Sequence, residues 1–149
     1  MTILGDYWDC FGNSRVYHHT LSSSLLYGLR EALSLIVKEG LENVIRRHQL
    51  CAQRLQKGLK ELDLELFVQD ERVRLTTVTG IKVPNNVNWR RVSEYAMKKY
   101  KVEISGGLGP TACKIFRIGL LGYNATFENV DLALKVLKEG LEYGYSSKL

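Results

Sequence analysis

The apolar positions of this chain change their period several times, and each change marks an element. Over residues 24–38, Leu26, Leu29, Leu33, Ile36 and Val37 recur at helical spacing. Gly40 interrupts that pattern, after which Leu41, Val44, Ile45, Cys51, Leu55, Leu59 and Leu62 predict a second, longer helix. His48 falls on the stripe of Val44, Cys51 and Leu55, which predicts a packed or boundary histidine rather than a catalyst. At Leu64 the period shortens to two: Leu64, Leu66 and Val68 alternate with Glu65, Phe67 and Gln69, the pattern of a strand. A charged loop over residues 69–74 precedes a second strand at 76–83, which Pro84-Asn85-Asn86 ends. Asn88 then caps a helix running through Tyr100, with Val92, Tyr95 and Ala96 turned inward and Trp89 over its start. Short strands follow at Val102-Glu103-Ile104 and at 114–121. Thr126 caps a final helix carrying Glu128 in its first turn and the apolar stripe Val130, Leu134, Leu137 and Leu141. The order helix, helix, strand, strand, helix, strand, strand, helix predicts an α+β fold, a mostly antiparallel sheet covered by helices.

The stretch with most chemistry lies at 101–124, where two strands surround a glycine loop. Period two places Ile115, Arg117 and Gly119 on one face and Phe116, Ile118 and Leu120 on the core face. A guanidinium is costly to bury alone, so Arg117 must meet an anion, either an internal Asp or Glu or the carboxylate or phosphate of a ligand. Its planar fork suits a bidentate grip on a substrate carboxylate, and Gly119 leaves room for one. In Ser105-Gly106-Gly107-Leu108-Gly109-Pro110, three glycines within four positions allow either close approach to a small ligand or simply a tight connection. The spacing matches neither nucleotide-binding glycine pattern.

Composition narrows the picture. A chain of 149 residues, 45% hydrophobic and 25% charged, is an ordinary globular sequence long enough for a core. No apolar run approaches membrane-spanning length and no charged leader precedes one, so neither membrane insertion nor secretion is expected. Cys10, Cys51 and Cys113 are scattered and odd in number, which fits a reducing compartment. The net charge of +5 is concentrated in the second half, which favours anionic substrates, but it is too dispersed to imply nucleic acid. His18 and His19 are adjacent with no other ligand at metal spacing, so no metal site is expected.

Two terminal motifs remain. Tyr17-His18-His19-Thr20 reads as a polar loop entering a helix, with hydroxyls and imidazoles that either bind an anion or serve as cap and surface groups. Ser147-Lys148-Leu149, where it stands as a free chain end, is an address read by the peroxisomal import receptor and predicts a peroxisomal location.

Tyr17-His18-His19-Thr20, the segment at 25–31 with Gly40-Leu41-Glu42-Asn43, and Gly106-Gly107-Leu108-Gly109-Pro110 also occur together in one family. So do Phe116-Arg117-Ile118-Gly119-Leu120-Leu121-Gly122, Asn124-Ala125-Thr126 and Glu128-Asn129-Val130. On these motifs, from about Tyr7 onward, the chain resembles the C-terminal portion of the class V pyridoxal phosphate aminotransferases, within them the peroxisomal alanine-glyoxylate (serine-pyruvate) group. The resemblance implies a fold-type I homodimer. It further implies that residues 1–24 are the end of the large domain with the cofactor-phosphate loop, 25–62 linking helices, and 63–149 the small C-terminal domain.

The resemblance assigns Arg117 to the substrate carboxylate. It assigns Tyr17 and Thr20 to the phosphate of pyridoxal 5'-phosphate, chiefly in the other subunit's site, and Gly106, Gly107 and Gly109 to shaping the loop beside it. The implied reaction moves an amino group from alanine or serine to glyoxylate or pyruvate, so the substrates are amino acids and 2-oxo acids. None of the eleven lysines here matches by motif the lysine that holds the cofactor in this family. The expectation is therefore that this chain alone holds no cofactor and contributes no catalytic residue. The competing expectation is a non-catalytic domain that associates with itself or with a full-length subunit.

Overall fold

The computed structural model describes residues 20–145, and the chain divides at Gly40 into two units. In the first unit, helix α1 (Ser23–Glu39) begins at Ser22, whose extended backbone and side-chain oxygen accept it; Leu25 N–H donates to that oxygen at 3.5 Å. Gly40, at φ 86°, closes the helix and donates its N–H to the Ile36 carbonyl at 2.8 Å. None of the residues of α1 is buried, and its apolar stripe is exposed along its length, Leu29 by 55% and Val37 by 79%.

In the second unit, α2 (Leu41–Glu61) buries His48, Cys51, Ala52, Leu55 and Leu59, so the later part of the predicted stripe lies in the core, whereas Leu41 and Ile45 at its start are exposed. The sheet has three antiparallel strands, β1 (Val78–Lys82), β2 (Ser105–Gly106) and β3 (Ile115–Gly119), in the order β1-β3-β2. Gly80 stands opposite Arg117 on one side of β3, and Ser105 on the other. Helix α3 (Trp89–Tyr95) continues as a π-helical turn over Ala96–Tyr100 and stops at Lys101, which is left-handed at φ 58°. Asn88 caps it, its side-chain oxygen accepting Arg90 N–H at 3.1 Å. The last helix, α4 (Phe127–Tyr145), starts where Thr126 Oγ1 accepts Asn129 N–H at 3.2 Å. One core joins the elements: Leu55 and Leu59 of α2, Val92 of α3, Val130, Val136 and Leu137 of α4, and Ile81, Phe116 and Ile118 of the sheet.

Two predicted strands need correction. The stretch from Leu64 to Gln69 is not a strand but a single bridge, Leu66 opposite Ile81, flanked by bonds from Phe67 N–H to Gly80 O and Lys82 N–H to Glu65 O. Side chains satisfy the carbonyls that a longer ladder would use: Gln69 Nε2 bonds Leu66 O, Arg74 Nε bonds Val68 O at 2.8 Å, and Arg74 Nη2 bonds Gln69 O at 2.7 Å. Val102-Glu103-Ile104 is likewise not extended pairing. Val102 N–H bonds back to Ala96 O, and Ile104 O accepts the Ser93 hydroxyl at 2.8 Å, so the ladder begins later, at Ser105.

A polar cluster ties α3 to α4. Glu139 Oε2 accepts Lys99 Nζ at 2.8 Å, the Tyr100 hydroxyl at 2.7 Å and the Tyr95 hydroxyl at 2.9 Å. The ammonium of Lys99 first, then the two phenols, hold the Glu139 carboxyl down at about 2 against an ordinary 4.5, and the same pair pushes Lys99 up. A depressed carboxyl stabilises the fold above its unfolded pKa, and that contribution is lost as pH falls from about 4.5 through about 2. Urea midpoints followed across that window should fall less steeply for Glu139→Gln than for the parent chain. Parallel pH profiles for the two would show that the cluster contributes nothing.

Candidate functional site

Arg117 is half-buried and opens onto a groove of about 570 Å³ formed by the start of α3, the segment before β2, and the glycine loop. Phe116, Ile118 and Leu120 are buried on the core face, as the period-two reading requires, so Arg117 is turned to the other side. Gly107 N–H pairs with Ile115 O at 3.1 Å. Alternation along an antiparallel ladder therefore turns the carbonyl of Gly106 to the free edge of the sheet. Arg117 Nε donates to that carbonyl at 2.6 Å. Among the described residues neither Nη nitrogen has a hydrogen-bond partner, and no Asp or Glu pairs with Arg117. The carboxylates lining the groove are engaged elsewhere, Glu94 with Lys98 at 3.8 Å and Glu103 with the Ser105 hydroxyl at 3.3 Å. Of the two anions that the sequence leaves open for this guanidinium, the internal one is not found among the described residues. The outer edge of the fork is presented to the groove with its N–H donors available for a planar oxyanion.

Gly106 and Gly107 line the same groove, while Gly109 opens a short 3-10 turn (Gly109–Thr111) at φ 52° and is not among its lining residues. Gly119 borders a neighbouring groove with Lys101, Glu103 and Asn129 and is not among the residues that line Arg117's groove. Thr20 is exposed and belongs to the first unit. Tyr17, the two adjacent histidines, and Ser147, Lys148 and Leu149 lie outside the described residues. His48 is a core group: Nδ1 bonds Val44 O at 2.7 Å and Nε2 accepts Gly122 N–H at 3.0 Å, so both ring nitrogens are taken. Among the described residues no group of three or more His, Cys, Asp or Glu could hold a metal ion, and no helix is long and apolar enough to cross a membrane.

Trp89 and Glu94 were not legible as groove residues. Their only sequence signal is the Asn88 cap, which fixes where α3 starts and hence which residues face β2. Among the described residues no lysine lines the groove. Its donor set fits the carboxylate of a small acid and lacks the amine through which pyridoxal phosphate is held.

Residues 2–132 match the family described as aminotransferase class-V. The chain belongs to the class V aminotransferases. Among relatives of this family, the alanine--glyoxylate aminotransferase of Drosophila melanogaster is 58% identical over 147 residues, covering 99% of this chain and 36% of its own length. The Mus musculus protein of the same name is 48% identical over 149 residues, again 36% of its length. Solved structures share the fold, two of them as follows. The alanine--glyoxylate aminotransferase from Nostoc sp. aligns with a TM-score of 0.79 at 40% identity, over 95% of this chain and 36% of that one. The ureidoglycine-glyoxylate aminotransferase from Bacillus subtilis aligns with a TM-score of 0.83 at 33% identity, over 97% and 37%. This class V chain thus spans about a third of the length of its relatives, and the α+β arrangement of three antiparallel strands under helices is that of the corresponding part of those enzymes.

Proposed function

We propose that this chain is the C-terminal part of a pyridoxal phosphate-dependent transaminase that moves an amino group from alanine or serine to glyoxylate or pyruvate. The observation that carries this reading is the Arg117 guanidinium, fixed through Nε and without a carboxylate partner among the described residues. Arg117 binds the α-carboxylate shared by the amino donor and the 2-oxo acid acceptor. A fork anchored at one edge pays little orientational entropy when the other edge meets two carboxylate oxygens. Trp89, Met97 and Leu108 give the groove apolar walls, which lower the polarity around such a pair. The cofactor, when bound, supplies the electron sink for bond changes at the substrate α-carbon. Its attachment lysine belongs to a part of the enzyme outside this groove. Tyr17 and Thr20 contact the cofactor phosphate of the partner subunit in a homodimer, and the loop of Gly106, Gly107 and Gly109 shapes the site beside it. Ser147-Lys148-Leu149, at a free chain end, engages the peroxisomal import receptor and places the enzyme in that organelle.

The test is a chimera in which this chain replaces the corresponding C-terminal part of the Drosophila relative. Retained transfer from alanine to glyoxylate, with loss of that activity in Arg117→Ala, is the expected result. A soluble chimera that binds cofactor but transfers no amino group would defeat the assignment.

A second reading is favoured by α1, whose Leu25, Leu26, Leu29, Leu33 and Val37 are all exposed. An apolar row of this length calls for cover. On this reading the chain is a non-catalytic domain that associates with itself or with a full-length subunit. Sedimentation of the chain alone and then with the full-length Drosophila relative tests this reading: a chain that stays monomeric at micromolar concentration and forms no complex with the relative removes it.

A further inference from the structure

We infer that Trp89 is a positioning residue for Arg117, acting through the backbone of Gly106; the inference rests on the reading of Arg117 as the carboxylate-binding group. Gly106 is gripped from two sides. On one, its carbonyl takes the Arg117 Nε–H at 2.6 Å. On the other, the six-membered ring of Trp89 lies so close to its Cα that a Cβ built there would stand 3.0 Å from Cζ3, 3.3 Å from Cη2 and 3.4 Å from Cε3. The strand carrying Gly106 is two residues long and lies at the sheet edge, so its own ladder fixes it weakly. Trp89 is better anchored. It is the first residue of α3, held by the Asn88 cap, and packs against the core cluster that includes Val92 and Phe116. The Arg90 guanidinium lies 5.7 Å from its ring centroid and adds a cation–π contact. The indole therefore sets how far β2 can approach the core, and the position of the Gly106 carbonyl sets the direction of the guanidinium. A shift of an ångström at that carbonyl would swing the outer edge of the fork away from an incoming acid. All three residues line the one groove.

The experiment is an arginine side-chain ¹⁵N NMR measurement on the 149-residue chain, with pyruvate as the probe acid and Arg54, paired with Asp131 at 2.7 Å, as internal reference. In the parent chain the Arg117 Nε–H should exchange slowly and its signal should move on adding pyruvate while that of Arg54 stays still. In Trp89→Ala the Arg117 Nε–H should exchange roughly tenfold faster, the factor that loss of one charge-assisted hydrogen bond carries, and the pyruvate response should weaken. Trp89→Phe, which keeps a ring against Gly106, should restore both. A merely structural role would lower stability without moving the Arg117 signals relative to Arg54. Trp89→Leu and Gly106→Ala, the latter pressing on the ring from the opposite side, carry the same comparison where Trp89→Ala does not fold. Unchanged Arg117 exchange in folded variants, with the pyruvate response intact, overturns the positioning role and leaves the carboxylate reading standing. No pyruvate response in the parent chain overturns both.

Discussion

Arg117→Ala, in the chimera with the Drosophila relative, should lower kcat/KM for alanine by roughly a hundredfold while leaving cofactor retention unchanged. The magnitude follows from the geometry. Nε is already committed to Gly106 O at 2.6 Å, so the substrate meets the outer edge of the fork, and a carboxylate held by two charge-assisted bonds is worth about 3 kcal/mol. At about 1.4 kcal/mol for each factor of ten, that is two powers of ten in kcat/KM. Arg117→Lys should recover only part of the loss. An ammonium on a flexible stem keeps the charge, but it cannot bond Gly106 O and present two parallel donors at once. If alanine and glyoxylate are used as well after Arg117→Ala as before, the groove is not where the acid group sits. If the cofactor is lost together with the activity, the arginine is supporting the fold of the site instead of gripping the substrate.

What the sequence reveals about this site depends on which interactions are local. Arg117 stands out because a cation within Ile115-Phe116-Arg117-Ile118 breaks an apolar run, and a period of two is enough to turn it off the core face. The helices are equally plain: the Cys51, Leu55 and Leu59 stripe of α2 and the caps at Asn88 and Thr126 are set by residues a few positions apart. The weak points are the strands at 64–69 and 102–104. Their alternation is genuine, since Leu64, Leu66 and Ile104 are buried. Alternation reports burial, however, and a ladder also needs free carbonyls. The carbonyls at 66, 68, 69 and 104 are claimed by Gln69, Arg74 and Ser93, the last of these eleven residues away in sequence. Trp89 beside Gly106 is a contact across seventeen positions and leaves no local signal. Gly119 shows the same limit, because sharing a face with Arg117 does not mean sharing a groove.

Gly107→Ala should be the most damaging single methyl in the glycine loop, with a loss of about 1–3 kcal/mol in urea unfolding, the range that overpacking carries. A Cβ at Gly107 would stand 2.0 Å from the Thr111 carbonyl oxygen, 2.5 Å from its carbon and 2.8 Å from its Oγ1. Backbone cannot rotate away as a side chain can. Relief requires opening the turn in which Leu108 N–H donates to Thr111 Oγ1 at 3.1 Å, the Thr111 hydroxyl donates to Leu108 O at 2.8 Å, and Thr111 N–H donates to the same carbonyl at 3.1 Å. Opening it also pulls on Gly107 N–H, the last bond of β2 to β3, and therefore on the Gly106 carbonyl that Arg117 holds. Gly109→Ala makes the contrast. Its φ of 52° is left-handed, which costs an alanine about 1 kcal/mol, but nothing lies within 4 Å of the added carbon. The two variants, read side by side, separate crowding from backbone strain: Gly107→Ala should unfold at clearly lower urea than Gly109→Ala and lose the Arg117 Nε–H protection, whereas Gly109→Ala should keep it. The reverse order would mean that the loop is held by its torsions and that the close approach at Thr111 relaxes at little cost.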